Sequence, residues 1–297
     1  MIRMDIANKL SALYRLTRFD HALMIVIAII IGMVIALGRM PVIDSLFFIA
    51  LAVPVLIEMG AFALNDFLDR EADKINKRKD RPLVTGDISE EIAVQIAFLS
   101  FMAGGVLSVF LPFAPMFIAC SFGVFAILYD MKLKEIPLMG NLYIGLSMGI
   151  PFIYGNYLYS ETIVPTSIIL FIIAVIIGFA REILKSVEDV EGDVKARGAK
   201  TLPVMIGEKN AVNIAKALML IFIPLSVYPF ASSFISGQPG LVLGTLSMPF
   251  LIAAEVLVLF SVITAGEDVK SLRKIRKVTL AAMILGTLAI LLSVLGV

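Results

Sequence analysis

Nine stretches of about 20 mostly apolar residues follow one another along this chain, each long enough to cross the roughly 30 Å hydrocarbon layer of a membrane as a helix. Pro112 and Pro115 separate the third from the fourth, because proline removes a backbone donor and stops a helix. The chain is 60% hydrophobic and 16% charged, against roughly 45–50% and 25% in soluble domains. We predict an all-α, polytopic transmembrane bundle forming a single domain over residues 1–297, with spans at 22–38, 46–65, 91–111, 113–130, 138–157, 164–182, 211–231, 241–264 and 277–296.

The basic residues predict how the bundle is oriented. Lys and Arg resist translocation, so they concentrate in cytosolic segments. With the N-terminus in the cytosol, 23 of the 25 Lys and Arg lie on that side, since only Arg39 and Lys216 fall elsewhere. A miscount of one span would scatter these residues over both faces. We therefore expect the N-terminus and the two longest polar stretches, 66–90 and 183–209, to be cytosolic.

Scarce residue types exclude several classes of site. The chain has one cysteine, Cys120, and one histidine, His21. A disulfide framework, a Cys- or His-rich metal site and a Ser-His-Asp triad are therefore excluded. The net charge of +1 is divided between separated polar segments, and we expect membrane lipids rather than nucleic acid as partners.

The first acidic cluster follows the second span. Asp66, Asp69 and Asp73 are spaced i, i+3 and i+7, which places them on one face of a helix, with Asn65 beside them. Carboxylates stacked in this way repel one another unless a cation neutralises them. Mg²⁺ takes oxygen ligands and is commonly held by one or two carboxylates together with substrate phosphates. This cluster is a candidate metal site.

The second acidic cluster follows the sixth span. Glu182, Ser186, Asp189 and Asp193 are spaced i, i+4, i+7 and i+11, again one helix face. A single D-x-x-x-D in a polar loop is more often solvated surface than a site. The two clusters each occupy a single helix face and each follow a predicted span. This match favours a site that holds two Mg²⁺ ions bridging a diphosphate.

Basic and aromatic residues near the clusters are candidates for binding that diphosphate. Arg and Lys donate charge-assisted hydrogen bonds to phosphate oxygens, although the positive-inside rule alone would also place them here. The most favoured are Arg81, which precedes Pro82, and Lys185, inside the second cluster. The others are Tyr129, Lys132 and Lys134 after span four, and Arg197 and Lys200 after the second cluster. Glu58 lies eight residues before Asp66, deeper in the second span, and Glu255 has no evident partner.

The paired motifs N-D-x-x-D-x-x-x-D and D-x-x-x-D resemble those of the UbiA superfamily of intramembrane prenyltransferases. Asp80–Gly86, and Thr201–Val204 with Gly207, are also similar to that family, and the likeness extends over nearly the whole chain. It implies Mg²⁺-dependent transfer of a prenyl group from a prenyl diphosphate to an acceptor. Carried over, it implies one metal site at Asn65, Asp66, Asp69 and Asp73 and another at Asp189 and Asp193; Glu182 is added from helix geometry.

The chemistry expected from this resemblance is ionisation of an allylic diphosphate. Asp66, Asp69 and Asp189, with Arg81 and Lys185, would neutralise the leaving group together with the metal. Tyr129 or Tyr143 would face the resulting carbocation. One segment departs from the family pattern, because Arg18-Phe19-Asp20-His21 stands where many members have Arg-Pro and a nearby Asn. That departure leaves the acceptor open.

Other functions remain open on sequence alone. A cation-coupled transporter would place its carboxylates near the middle of the membrane, where only Glu58 and Glu255 lie. A CDP-alcohol phosphotransferase would carry D-G-x-x-A-R, which is missing. Among prenyltransferases, the acceptor could be an isoprenyl glyceryl phosphate, as in archaeal ether-lipid synthesis, or an aromatic compound of quinone, haem or chlorophyll synthesis.

Overall fold

Helices make up all the regular structure in the described part of the chain, residues 6–236 and 241–296 of a computed structural model. The side chains of residues 6, 197 and 232–236 also lie outside the description. In chain order the helices are α1 (Ile6–Thr17), α2 (Phe19–Leu37), α3 (Ser45–Leu68), α4 (Arg70–Ile75), α5 (Pro82–Thr85), α6 (Glu90–Ser108), α7 (Phe113–Met131), α8 (Met139–Tyr157), α9 (Pro165–Glu188), α10 (Val190–Arg197), α11 (Leu202–Ile206), α12 (Glu208–Ser236), α13 (Ser247–Thr264) and α14 (Val269–Val294). A short 3-10 turn, Leu133–Glu135, follows α7.

The nine long helices correspond to the nine predicted spans, which confirms the predicted fold class. Among the described residues, eight are long and apolar enough to cross a membrane. The ninth is α8, which contains the buried residues Asn141 and Asn156 and several glycines. Its lower hydropathy follows from packing against other helices rather than against lipid.

Helix boundaries differ from the prediction mainly at polar ends. α9 continues to Glu188, six residues past the predicted span, so Glu182 and Ser186 are helical. α13 begins at Ser247, six residues later than predicted. Hydropathy locates the apolar part of a helix, whereas the backbone hydrogen bonding of α9 continues through a polar end whose carboxylates Glu182 and Glu188 are buried.

The chain divides into two compact units, and its expected organisation as a single domain stays a prediction. The first unit comprises Met1–Val26, Val42–Ile136 and Glu191–Ala199, and the second comprises Ile27–Pro41, Pro137–Val190 and Lys200–Val297. In the first unit α3 packs closely on α6, where a Cβ on Gly104 would lie 3.0 Å from Ile57. Small residues at helix crossings allow this approach.

The second unit is also held by glycine contacts and by one ion-pair cluster. A Cβ on Gly149 of α8 would lie 2.7 Å from the carbonyl oxygen of Phe171 in α9. The buried carboxylate of Glu188, at the end of α9, pairs with Arg273 and Arg276 of α14. In α13, Glu255 accepts a hydrogen bond of 2.5 Å from Ser226 of α12, a partner the sequence did not indicate.

Candidate active site

The first acidic motif lies where α3 passes into α4. Asp69 stands between the two helices, yet its N–H donates to Asn65 O at 2.8 Å, and Asp73 N–H donates to Asp69 O at 2.8 Å. Because helical hydrogen bonding continues through the junction, residues seven apart keep the same side. Asp66 and Asp73 accordingly contact one and the same arginine.

That arginine is Arg81. It is buried in an extended conformation directly before Pro82, the first residue of α5. Its Nη1 is 3.1 Å from Asp66 Oδ1, and its Nε is 3.4 Å from Asp73 Oδ2. Proline at the first position of a helix fixes the backbone that follows. Arg81 therefore bridges the two ends of the motif from a fixed turn.

Asp69 faces a different cation, Lys134, which follows α7. Lys134 Nζ lies 2.6 Å from Asp69 Oδ1 and 3.5 Å from Asp130 Oδ1. Asn65 Nδ2 donates to Asp130 Oδ1 at 2.7 Å and to Asp69 Oδ2 at 2.9 Å. Asp130 is buried, and sequence reasoning missed it because it attended to the tyrosine and lysines of the same segment. A carboxylate four residues before a lysine at the end of a span was the available signal.

Arg18 is the second residue that sequence reasoning missed. Its Nη2 lies 2.7 Å from Asp66 Oδ1 and 3.5 Å from Asn65 Oδ1, and its guanidinium stacks 4.1 Å from the centre of the Phe62 ring. Burial, together with the nearby charge of Arg81, lowers the pKa of Arg18. The residue has φ +47°, a conformation that side chains rarely adopt. The sequence did carry one signal for Arg18, because this residue lies in the segment that departs from the family pattern.

We call these side chains the α3 acidic group: Asn65, Asp66, Asp69, Asp73 and Asp130, with Arg18, Arg81 and Lys134. Its four carboxylates outnumber its three cations. Burial raises the pKa of Asp73 to about 6; Arg81 opposes that shift, whereas Asp69 and Asp66 add to it. A buried excess of negative charge favours binding of a further cation.

The ligand chemistry of the α3 acidic group fits Mg²⁺, which prefers carboxylate and amide oxygens. Asp66 Oδ2 is buried and makes no hydrogen bond, so one oxygen is available without breaking a contact. Among the described residues, no three His, Cys, Asp or Glu side chains are already gathered around one point. The ion pairs of Asp66, Asp69 and Asp73 explain this, because each carboxylate faces an arginine or lysine.

The second acidic motif begins on α9 in the second unit. Glu182 is buried and its Oε1 lies 3.0 Å from Lys185 Nζ, an i, i+3 pair. Ser186 Oγ accepts a hydrogen bond of 2.7 Å from Asn141 Nδ2 of α8, which fixes this end of α9. Asp189 is buried and follows the last residue of the helix.

The rest of the second motif lies on α10, which belongs to the first unit. Gly192 N–H donates to Asn76 Oδ1 at 3.0 Å, just beyond α4. A Cβ on Gly192 would lie 2.3 Å from Asn76 Nδ2 and 2.7 Å from Ala72 O. Only glycine permits so close an approach. Asp193, the next residue, is thereby held on a helix that packs against the first motif.

The remaining predicted site residues have varied positions. Lys132 is exposed and 3.9 Å from Glu135, so the structure does not bring it into the α3 acidic group. Tyr129 is buried on α7, beside Asp130 in the chain. Tyr143 is half-buried on α8 and Lys200 is exposed, both in the second unit. Arg197 ends α10, and its side chain lies outside the described part.

The fold and this group of side chains define a class: an integral membrane protein of bundled helices with a buried, negatively charged site at the end of a span. A sequence model of the UbiA prenyltransferase family matches residues 25–262. The digeranylgeranylglyceryl phosphate synthase of Archaeoglobus fulgidus is 36% identical over 282 residues, which cover 93% of each chain.

Solved structures agree with the sequence comparison. One described as giving insights into digeranylgeranylglyceryl phosphate synthase in membranes is 26% identical, has a TM-score of 0.68, and covers 97% of this chain and 99% of its own. A UbiA homologue from Archaeoglobus fulgidus bound to DMAPP and Mg²⁺ is 20% identical, with a TM-score of 0.65 and coverage of 94% and 99%.

The chain belongs to the UbiA prenyltransferase family, and it is an integral membrane prenyltransferase. The resemblance inferred from the two acidic motifs is thereby confirmed. Family membership also decides against the transporter and the CDP-alcohol phosphotransferase.

Proposed function

We propose that this enzyme transfers a geranylgeranyl group from geranylgeranyl diphosphate to geranylgeranylglyceryl phosphate, forming the second ether bond of an archaeal-type lipid precursor. The observation that carries the proposal is the α3 acidic group, with its excess carboxylate and the unbonded Asp66 Oδ2. The digeranylgeranylglyceryl phosphate synthases among its relatives support this acceptor. Sequence reasoning alone had mildly favoured a phosphate-bearing acceptor and left an aromatic acceptor as the alternative.

The proposal includes two Mg²⁺ ions. Asn65, Asp66, Asp69 and Asp73 would hold one, and Asp189 and Asp193, with Glu182, would hold the other. Binding of DMAPP and Mg²⁺ by a UbiA homologue of the same fold supports the choice of metal. When bound, Mg²⁺ would supply Lewis-acid neutralisation of the departing diphosphate. The packing of Gly192 against Asn76 supports a role for Asp193 beside the first motif.

The cations of the α3 acidic group have a second task in this scheme. Arg18, Arg81 and Lys134 balance the carboxylates in the structure. When a diphosphate is present, the same side chains would donate charge-assisted hydrogen bonds to its oxygens. Lys185, now paired with Glu182, would do likewise. Lys132, Arg197 and Lys200 would add further charge-assisted contacts to the substrate.

The apolar spans provide the other requirement of the reaction. An allylic cation is captured by water unless the site excludes it. Tyr129 or Tyr143 would face that cation with an aromatic ring, and membrane lipids would surround the isoprenoid tail. The positive-inside distribution further supports a cytosolic N-terminus and a cytosolic opening of the site.

The acceptor is tested by competition. Purified enzyme receives labelled geranylgeranyl diphosphate and Mg²⁺, together with geranylgeranylglyceryl phosphate or with a hydroxybenzoic acid, and labelled products are separated by chromatography. We expect label in the glyceryl phosphate product alone, and loss of product with EDTA. Transfer to the aromatic acid in preference to the glyceryl phosphate would overturn the proposed acceptor.

A further inference from the structure

A polar stripe on α3 extends from the acidic motif into the span. Glu58, Phe62, Asn65 and Asp69 are spaced i, i+4, i+7 and i+11, so they share one face of the helix. The opposite face of α3 packs on α6, where Gly60 contacts Phe101. The stripe therefore faces away from α6, and its deepest member is a carboxylate.

Glu58 lies inside a membrane span, where burying a carboxylate that has no function would be energetically unfavourable. It lies within a helix that meets the criteria for a membrane span, and such residues are rare and commonly functional. Its Oε2 atom is buried and makes no hydrogen bond. Glu255, also within a span, likewise has a buried Oε2 without a hydrogen bond, but its Oε1 accepts a hydrogen bond from Ser226. Packing and hydrogen bonding explain Glu255 more fully than they explain Glu58.

Charged and aromatic groups from the start of α2 lie near the stripe. Arg18 stacks on the ring of Phe62, one turn above Glu58, and His21 contacts the same ring edge-on with centroids 5.4 Å apart. Arg18 and Asp20 are the charged groups that act electrostatically on Glu58.

The depth of Glu58 selects its substrate partner. Seven residues of helix separate it from Asn65, a rise of about 10 Å. A hydrogen bond joins atoms about 3 Å apart, so Glu58 does not reach a diphosphate bound at the level of Asn65 and Asp69. The prenyl carbon that leaves the diphosphate, and the acceptor oxygen that attacks it, must lie deeper in the membrane than the diphosphate. Glu58 lies on that deeper side.

We propose that Glu58 is the catalytic base that removes the proton from the acceptor's hydroxyl group. The inference depends on the proposed hydroxyl acceptor. The allylic C–O bond breaks and its electron pair leaves with the diphosphate. A lone pair of the acceptor oxygen forms the new C–O ether bond, and the hydroxyl proton passes to the carboxylate of Glu58. Release of that proton after turnover restores the enzyme.

The test compares Glu58→Gln with wild type, using Glu255→Gln as the matched control. Glutamine keeps the size of the side chain and removes its basicity. We expect kcat for transfer to the hydroxyl acceptor to fall about 100-fold or more, with the KM for geranylgeranyl diphosphate within about twofold of wild type. Glu255→Gln should keep wild-type turnover, since Glu255 lies on α13 and its Oε1 accepts a hydrogen bond from Ser226.

Two further measurements separate base catalysis from a structural role. Donor ionisation, followed as scrambling of an ¹⁸O label from the bridging position of the diphosphate, should persist in Glu58→Gln, because it needs no acceptor proton. An acceptor analogue carrying a thiol in place of the hydroxyl should lose much less rate in the variant, because a thiol ionises near neutral pH without a base.

The outcomes separate this inference from the proposed function. Wild-type transfer to the glyceryl phosphate, with Glu58→Gln retaining more than half the turnover, would overturn the base and leave the function standing. Loss of label scrambling, or equal losses with hydroxyl and thiol acceptors, would also overturn it. Wild-type preference for an aromatic acceptor would overturn both, since the inference depends on the hydroxyl group of the glyceryl phosphate as the acceptor.

Discussion

The two acidic motifs are built differently, although they look alike in the sequence. In the α3 acidic group the cations come from distant parts of the chain: Arg18 reaches Asp66 across 48 residues, and Lys134 reaches Asp69 across 65. In the segment that carries the second motif, Glu182 pairs with Lys185, and the neighbouring Glu191, outside the motif, pairs with Lys195, three and four residues away. Tertiary structure assembles the first set of pairs, whereas one helical turn suffices for the second.

This difference separates charge that the fold arranges from charge that the local sequence balances. Exposed ion pairs within one helix contribute little to stability, and Glu191 with Lys195 is such a pair. In the α3 acidic group, Asp66, Asp73, Asp130 and Arg81 are buried, and the group carries an excess of carboxylate. We therefore expect substitutions there to affect turnover far more than substitutions of the local pairs.

The largest effect is expected at Asp69. Asp69→Asn removes a proposed metal ligand and the partner of Lys134, so kcat/KM should fall about 1000-fold or more, since electrostatic stabilisation by a metal amounts to several kcal/mol. Steady-state transfer assays measure it. Glu71→Gln is the control, because Glu71 is exposed and pairs locally with Lys74. A turnover above one tenth of wild type in Asp69→Asn would contradict the assignment.

The next effect distinguishes two neighbouring lysines. Lys134→Ala should raise the KM for the prenyl diphosphate about tenfold or more, because a charge-assisted hydrogen bond contributes about 1.5–3 kcal/mol. Lys132→Ala should change it by less than about twofold, since Lys132 is exposed and lies near Glu135. Donor titrations of both variants provide the comparison. Equal changes in KM in the two variants would show that the segment containing Lys132 and Lys134 acts through its overall charge.

A smaller effect is expected where the second motif packs against the first. In Gly192→Ala the new Cβ would lie 2.3 Å from Asn76 Nδ2, and overpacking of this kind costs about 1–3 kcal/mol. We expect about a tenfold fall in kcat/KM, partly restored by Asn76→Ser. Gly105→Ala is the control, since a Cβ there has nothing within 4 Å. Wild-type kinetics in Gly192→Ala would break the proposed link between the motifs.

The smallest effect concerns Asp73 and pH. Its pKa is raised from 3.8 to about 6 in the folded protein, so the native state binds this proton more tightly than the unfolded state. The contribution to stability is therefore complete below about pH 4 and is lost as pH rises through 6. Without Mg²⁺, the Tm in detergent should fall by a few degrees between pH 5 and pH 7.5.

Asp73→Asn should remove most of this fall in Tm between pH 5 and pH 7.5. Asp80→Asn is the control and should leave the fall unchanged, because Arg78 holds the pKa of Asp80 below its usual range despite its burial. In the wild-type protein, added Mg²⁺ should reverse the fall in Tm at pH 7.5. A Tm that rises over this interval, in wild type without Mg²⁺, would show that Asp73 is not the group responsible.

Apolar length and helix spacing predicted most of the fold and part of the site. Nine helices lie where nine apolar stretches were found, and the i, i+7 spacing correctly placed Asp66 and Asp73 on one side, where Arg81 contacts both. Arg18 and Asp130 were missed, because their contacts with the motif depend on how α2 and α7 pack. Spacing along one helix carries no information about such long-range approaches.

The charge arrangement around Asp66 has a consequence for the order in which substrates arrive. A free Mg²⁺ ion would have to compete with Arg18 and Arg81, which are tethered beside the same carboxylate. A magnesium ion already complexed to the prenyl diphosphate brings an anion that can accept hydrogen bonds from the displaced guanidinium groups. We therefore expect metal and donor to be taken up together more tightly than the metal alone, before the acceptor enters.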